Sequence, residues 1–227
     1  MKNLLKLAVP TIVAISATIS TTANAFVINF GTDGTGGYNI SAQAQASIGA
    51  NHTVEVTENA SGQIEFHFVN TDSTYDSSIT AIYFGKDPLF GSTLDFDSFV
   101  YGTSVDGLAF AEGANPNDPP PGNTTFASFT AGSTSPNAPN GIGNGEDLTV
   151  VFDNISNPAW TLAQIEDAFK NGQLQIVTHV QSIDGGEGGQ SQFFASNPPT
   201  DVPEPSSLAL LALGLAGVGF SRRMARK

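Results

Sequence analysis

The chain has no cysteine, which excludes disulfides, thiolate zinc sites, iron–sulfur clusters and cysteine nucleophiles together. It is also poor in positive charge. Of the eight Lys and Arg, Lys2 and Lys6 lie near the start and Arg222, Arg223, Arg226 and Lys227 at the end, leaving Lys86 and Lys170 for residues 26–202. That stretch sets two cations against 20 of the 21 acidic residues, a net charge of −18. Binding a phosphate backbone needs a basic face, so nucleic acid is excluded as a partner. Charged residues amount to only 13%, too few for a polyelectrolyte or a coiled coil. No repeat of fixed period marks a solenoid, and the Thr-x-Thr ladders of a flat ice-binding face are missing. At 227 residues the chain holds one good-sized domain with appendages.

The two cationic ends follow different rules from the middle. Lys2 and Lys6, the apolar run from Leu4 to Ile19 and the small-x-small site Ala23-Asn24-Ala25 stand in the order of a secretory signal. Residues 1–25 therefore read as a signal peptide cut after Ala25, with Ala23 and Ala25 as its recognition residues. At the other end, residues 197–202 form a Pro-rich linker. Pro203-Glu204-Pro205 follows, then an apolar stretch from Ser206 to Phe220, then four cations in the last six residues. A helix of that length spans about 22 Å, against about 30 Å for a bilayer core, so it is a marginal membrane helix. Basic residues stay on the cytoplasmic side, which puts the body outside the inner membrane and the tail within.

Pro-Glu-Pro, a short Leu/Ala/Gly-rich helix and a terminal Arg cluster resemble the PEP-CTERM sorting signal of Gram-negative bacteria, a segment also called an ice-binding-protein C-terminal domain. The resemblance covers residues 201–227. It implies that Pro203, Glu204 and Pro205 are recognised by an exosortase and that Arg222 and Arg223 act as the stop signal. It further implies cleavage near the Pro-Glu-Pro motif, then release or attachment at the cell surface, in the company of exopolysaccharide or biofilm production.

Residues 26–196 read as an all-β domain, an antiparallel, jelly-roll-like β-sandwich with one short helix. Apolar and polar residues alternate over Tyr38–Ile48, Val54–Thr57 and Ile64–Phe68, each a strand with one apolar face. Further strands are expected at Ile79–Phe84, Ser98–Tyr101, Leu108–Ala111, Thr125–Thr130, Asp147–Phe152, Gln173–Gln181 and Gly189–Ala195. Thr161-Leu162-Ala163-Gln164 is a capping box opening a helix that carries Leu162, Ile165, Ala168 and Phe169, with Gly172 placed to end it. Trp160 belongs to the core, and sixteen Phe supply core volume.

Catalytic motifs are missing. The nearest approach to a nucleophile elbow, Gly102-Thr103-Ser104-Val105-Asp106, fails at its last position. His52, His67 and His179 sit in no metalloprotease context, and His67 and His179 read as solvated strand residues. Calcium is the more credible ligand, since extracellular modules hold it with oxygen donors in flexible geometry. Asp95 and Asp97, and Asp184 with Glu187, are the candidate donors. The expected function is that of an exported surface or matrix protein without catalytic activity, facing extracellular polysaccharide. A carbohydrate-binding or carbohydrate-active module is the alternative.

Overall fold

A computed structural model describes residues 25–32, 40–85, 89–102, 107–113, 127–183, 190–198 and 200–201. The strands are β1 (Ala25–Thr32), β2 (His52–Glu58), β3 (Ile64–Asn70), β4 (Ser78–Gly85), β5 (Leu94–Tyr101) and β6 (Phe110–Glu112). They continue with β7 (Ala127–Ser133), β8 (Asp147–Asn154), β9 (Gln175–Gln181), β10 (Gln192–Ser196) and β11 (Thr200–Asp201). The helices are α1 (Ala42–Asn51), the single turn α2 (Leu89–Ser92) and α3 (Leu162–Lys170).

Every strand pair is antiparallel, and the pairing runs in one path, β5-β8-β3-β2-β1-β10-β9-β4-β7-β6, with β11 beside β1. The all-β expectation holds. The picture of two separate packed sheets gives way to one sheet folded over until it nearly closes. The hinge is β1. Its first five residues pair with β2, from Ala25 opposite Thr57 to Asn29 opposite Thr53. Its last three, Phe30 to Thr32, pair with β10. A strand shared by both halves removes the free edges that two separate sheets would each present there.

The interior is aromatic. Phe66 meets Phe84 at 5.1 Å and Phe152 at 5.6 Å edge to face, and it also touches Phe90 and Phe169. Such edge-on pairs place ring hydrogens against a neighbouring π-face and add to the burial gain. The alternation read in β3 is the burial pattern itself, with Ile64, Phe66 and Phe68 fully buried. The capping box of α3 is present in full: Gln164 N donates to Thr161 Oγ1, and Thr161 N donates to Gln164 Oε1 at 2.9 Å. Gly172 follows the cap with φ +68°, a conformation glycine adopts without strain. Leu162, Ile165, Ala168 and Phe169 face the core, Phe169 reaching Phe26 at 6.1 Å, and Trp160 packs half-buried against the same core.

One element differs in kind. Of the expected strand over Tyr38–Ile48, Tyr38 and Asn39 lie outside the described residues, and Ala42–Ile48 belongs to the helix α1, with Ser41 as N-cap accepting from Ala44 N at 3.1 Å. Alternating Ala and Gln imitates a two-residue period, but Ala is the strongest helix former and is too small to mark a face. The period that counts is four: Ile40, Ala44 and Ile48 are buried. Gly49 lets α1 lie on β1, since a Cβ there would stand 2.9 Å from the carbonyl oxygen of Phe30.

Pairing also reaches beyond residue 196. Thr200 and Asp201 stand opposite Val27 and Phe26, so sheet structure enters the stretch read as a linker. Among the described residues no helix is long and apolar enough to cross a membrane. The signal residues up to 24 and the whole segment 203–227, including Pro203, Glu204, Pro205, Arg222 and Arg223, lie outside them.

Candidate functional site

The strand directions give the folded sheet two unlike ends. At one end lie Phe26, the start of β5 and α3, whose Phe169 reaches Phe26. At the other, β2 begins with His52, β3 finishes with Asn70, β4 begins with Ser78 and β10 begins with Gln192. Buried polar residues gather at this second end: His52, Asn70, Asp72, Ser77 and Ser78 are all at or below 5% exposure.

Asn70 organises them. Its backbone N donates to Glu146 O, and its carbonyl accepts from Gly145 N at 2.7 Å. Its side-chain amide donates to Ser77 O at 3.1 Å and Ser77 Oγ at 3.2 Å, and its Oδ1 accepts from Asp72 N. One side chain thus ties the connection 71–77 to the turn 143–146. Asp72 Oδ1 closes the first of these by accepting from Thr74 N and Tyr75 N, and Glu146 Oε2 closes the second by accepting from Gly143 N at 2.7 Å. Between them opens a cleft of about 320 Å³, lined by Asp76, Ser77, Ser78, Gly141, Asn144 and Glu146 among others. Gly141 has no room for a side chain: a Cβ would fall 2.6 Å from Ile79 O.

Ser77, His52 and Asp72 have the residue types of a nucleophile relay. His52 Nε2 lies 3.2 Å from Ser77 Oγ. The geometry is not that of a working relay. His52 Nδ1 and Asp72 Oδ2 are buried and neither has a hydrogen-bond partner, so no carboxylate orients the imidazole. Burial lowers the His52 pKa to about 4, and the charge of Asp72 and the neighbouring Asn70 amide offset this only in part. A base that weak holds a proton poorly at neutral pH. The arrangement joins the loops at this end of the sheet.

The other residues singled out from sequence are scattered. Asp95 and Asp97 are both exposed on β5, but the register slips between Phe96 and Ser98, which makes Asp97 the extra residue of a bulge. Asp97 Oδ2 accepts from Ser98 Oγ at 2.7 Å, and Asp95 stands opposite Asp153 on β8. Asp184 and Glu187 lie outside the described residues, two and five positions beyond Ser182, which borders the cleft. Among the described residues no group of three or more His, Asp or Glu comes together. His67 is half-exposed and bonded to Asp147 Oδ2 at 3.0 Å. His179 departs from expectation: it is 5% exposed and stacked on Phe193 at 4.5 Å. Sequence reading missed the polar cluster because its members are far apart in the chain and match no motif; the one local signal was the Asn and Asp at 70 and 72 ending an apolar strand.

Residues 201–223 match the PEP-CTERM protein-sorting motif. No curated protein and no solved structure was found to match the chain. The motif marks a PEP-CTERM protein and implies export, processing by an exosortase and then the cell surface.

Proposed function

We propose that the protein is a surface or matrix component whose β body acts by binding, without catalysis, after an exosortase has removed the tail. The observation that carries this reading is the position of the sorting motif. It begins at Asp201, the last residue of β11, so cleavage near Pro203-Glu204-Pro205 leaves the whole described sheet intact. Signal peptidase would remove residues 1–25, and the product would be the acidic body alone.

The polar end is the contact surface in this reading, and extracellular polysaccharide is its partner. A body of net charge −18 is repelled by an anionic polymer unless divalent cations such as Ca²⁺ bridge the two. Oxygen donors around the cleft, Asp76, Asn144 and Glu146, suit either a hydrated cation or sugar hydroxyls.

Two measurements test this. Intact mass of the surface protein from cells with and without the exosortase should differ by the segment after the Pro-Glu-Pro motif; equal masses would remove the processing half. Co-sedimentation with the cell's own polymer should occur with Ca²⁺ and weaken with chelator; no co-sedimentation in either condition would remove the binding half.

A further inference from the structure

Residues 154–165, which run from the end of β8 into α3, contain no charged side chain, although residues 26–202 together carry −18. The connection inside this stretch is exposed and apolar. Three large apolar side chains are exposed among the described residues, and two of them, Val100 and Tyr101, close β5 at the far end of the sheet. The third is Ile155, at 54% exposure; Pro158 and Ala159 are exposed too, and Trp160 packs half-buried against the core. Hydrogen bonds hold this loop in place. Asn154 Nδ2 donates to Trp160 O at 2.7 Å, Trp160 N donates to Asn154 Oδ1 at 3.2 Å and Ser156 Oγ at 3.1 Å, and Ile155 N donates to Thr93 O at 2.8 Å. Its apolar tip is therefore a fixed feature of the surface.

We infer that residues 155–160 touch the lipid surface of the membrane to which the sorting tail directs the chain, an inference that rests on the sorting reading for its tether. Position is the first reason. β11 ends, β1 begins, β8 ends and β5 begins at one and the same end of the sheet. Register puts Asp201, Phe26, Val56, Phe66 and Val150 in one row, and Asn154 lies four residues further along β8, about 13 Å beyond it. Ser206, where the apolar run of the tail starts, follows Asp201 by five residues, a reach of at most about 17 Å. The linker is thus long enough to bring that run level with the loop and too short to carry it far past. Around the sheet, β11 and β8 are four strand spacings apart, about 19 Å.

Charge is the second reason. An anionic lipid surface repels carboxylates, and at this end they stand back from the loop. Asp153 and the opposite Asp95 lie one residue short of Asn154, and Glu58 shares the row of Phe152, two short. Glu166, just after the stretch, pairs with Lys170. What remains foremost is uncharged, with a Trp ring of the kind that sits between headgroups and acyl chains. Until the exosortase cuts, the contact braces the body on the bilayer; after the cut only the loop's own weak affinity is left.

Trp160 is the only tryptophan in the chain, so its fluorescence reads the loop directly. Protein from cells without the exosortase, which keeps its tail, is reconstituted in vesicles of phosphatidylethanolamine and phosphatidylglycerol and floated on a density gradient. The vesicles are prepared with and without bromine on the acyl chains close to the headgroups. Trp160 emission of floated protein should fall about twofold with bromine, the depth of an interfacial contact. Ile155→Glu changes an exposed position, so it should float equally and lose most of that quenching. Floated protein with equal emission in both vesicles would overturn the inference and leave the tether standing. Quenching that survives Ile155→Glu would overturn it as well. So would shielding of Trp160 from aqueous acrylamide that grows with the protein-to-lipid ratio, which would assign the loop to a second copy of the chain. A chain that does not float would remove the tether and the inference with it.

Discussion

The hydroxyl of Tyr101, at the end of β5, accepts from the amide of Phe110 at 3.1 Å and donates to its carbonyl at 3.3 Å. Phe110 opens β6, so this one side chain spans the two extremes of the strand path. Around it Phe99 touches Phe110 and Phe96 stacks on Phe129 at 5.1 Å. The seam is closed by side chains where backbone pairing stops. Tyr101→Phe keeps the ring and removes both hydrogen bonds. At 40% exposure the loss should be about 1 kcal/mol, a melting temperature lower by about 2–4 °C. An unchanged melting curve would mean that the ring contacts alone hold the seam.

His52 makes stability depend on pH in a defined direction. The unfolded chain binds a proton at His52 near pH 6.5, whereas in the folded state the imidazole stays neutral down to about pH 4. Below pH 6.5 the unfolded state therefore holds more protons, and acid favours it. The stability from the neutral imidazole is fully present above pH 6.5 and is lost progressively as pH falls through 4. The span corresponds to about 3 kcal/mol. Urea titrations at half-unit steps should trace this decline, and His52→Gln should flatten it between pH 6.5 and 4.5. A parallel slope in the variant would assign the effect to other groups.

Gly49 is required by contact. Alanine would gain roughly 1 kcal/mol of helix propensity in α1. Its methyl would also press on the Phe30 carbonyl from 2.9 Å, and that oxygen belongs to the central strand, which cannot easily retreat. Gly49→Ala should cost about 1–2 kcal/mol net in denaturant unfolding. A stabilised variant would show that α1 is free to shift along β1.

The α3 capping box offers a cleaner case. Thr161→Ala removes the acceptor for the Gln164 amide without altering the core. The expected loss is about 1 kcal/mol, with the near-ultraviolet signal of Trp160, which directly precedes the cap, changed as the helix start frays. Thr161→Ser should restore most of it.

Residues with large side chains made the fold legible. In β2 and β3 the alternation of Val, Ile and Phe predicted both the strands and their buried faces, and Thr161 with Gln164 announced α3 to the residue. Small and local features hid the rest. The Ala/Gln run of α1 carried two periods at once, and only the four-residue one was backed by bulky groups at Ile40 and Ile48. β1 is not among the strands expected from the sequence, although Phe26, Ile28 and Phe30 alternate along it and are buried. The bulge at Asp97 depends on what β8 offers opposite it, which no local pattern states. The cluster of His52, Asn70, Asp72 and Ser77 is a product of topology, since three different strand ends must meet before those side chains do. Sorting, by contrast, is written in a contiguous stretch meant to be read by another protein, and so it was legible without any fold.

Because Asp201 pairs with Phe26, the chain leaves the body where it enters, at the end that α3 plugs. The cleft beside Asn70 is at the opposite pole. A molecule held to an envelope by its exit point therefore stands upright, hinge side down, with its carboxylates and amides aimed outward like the working end of a tool whose handle has been clamped. Grafting the same tail after Gln181 in a permuted chain would turn the molecule over.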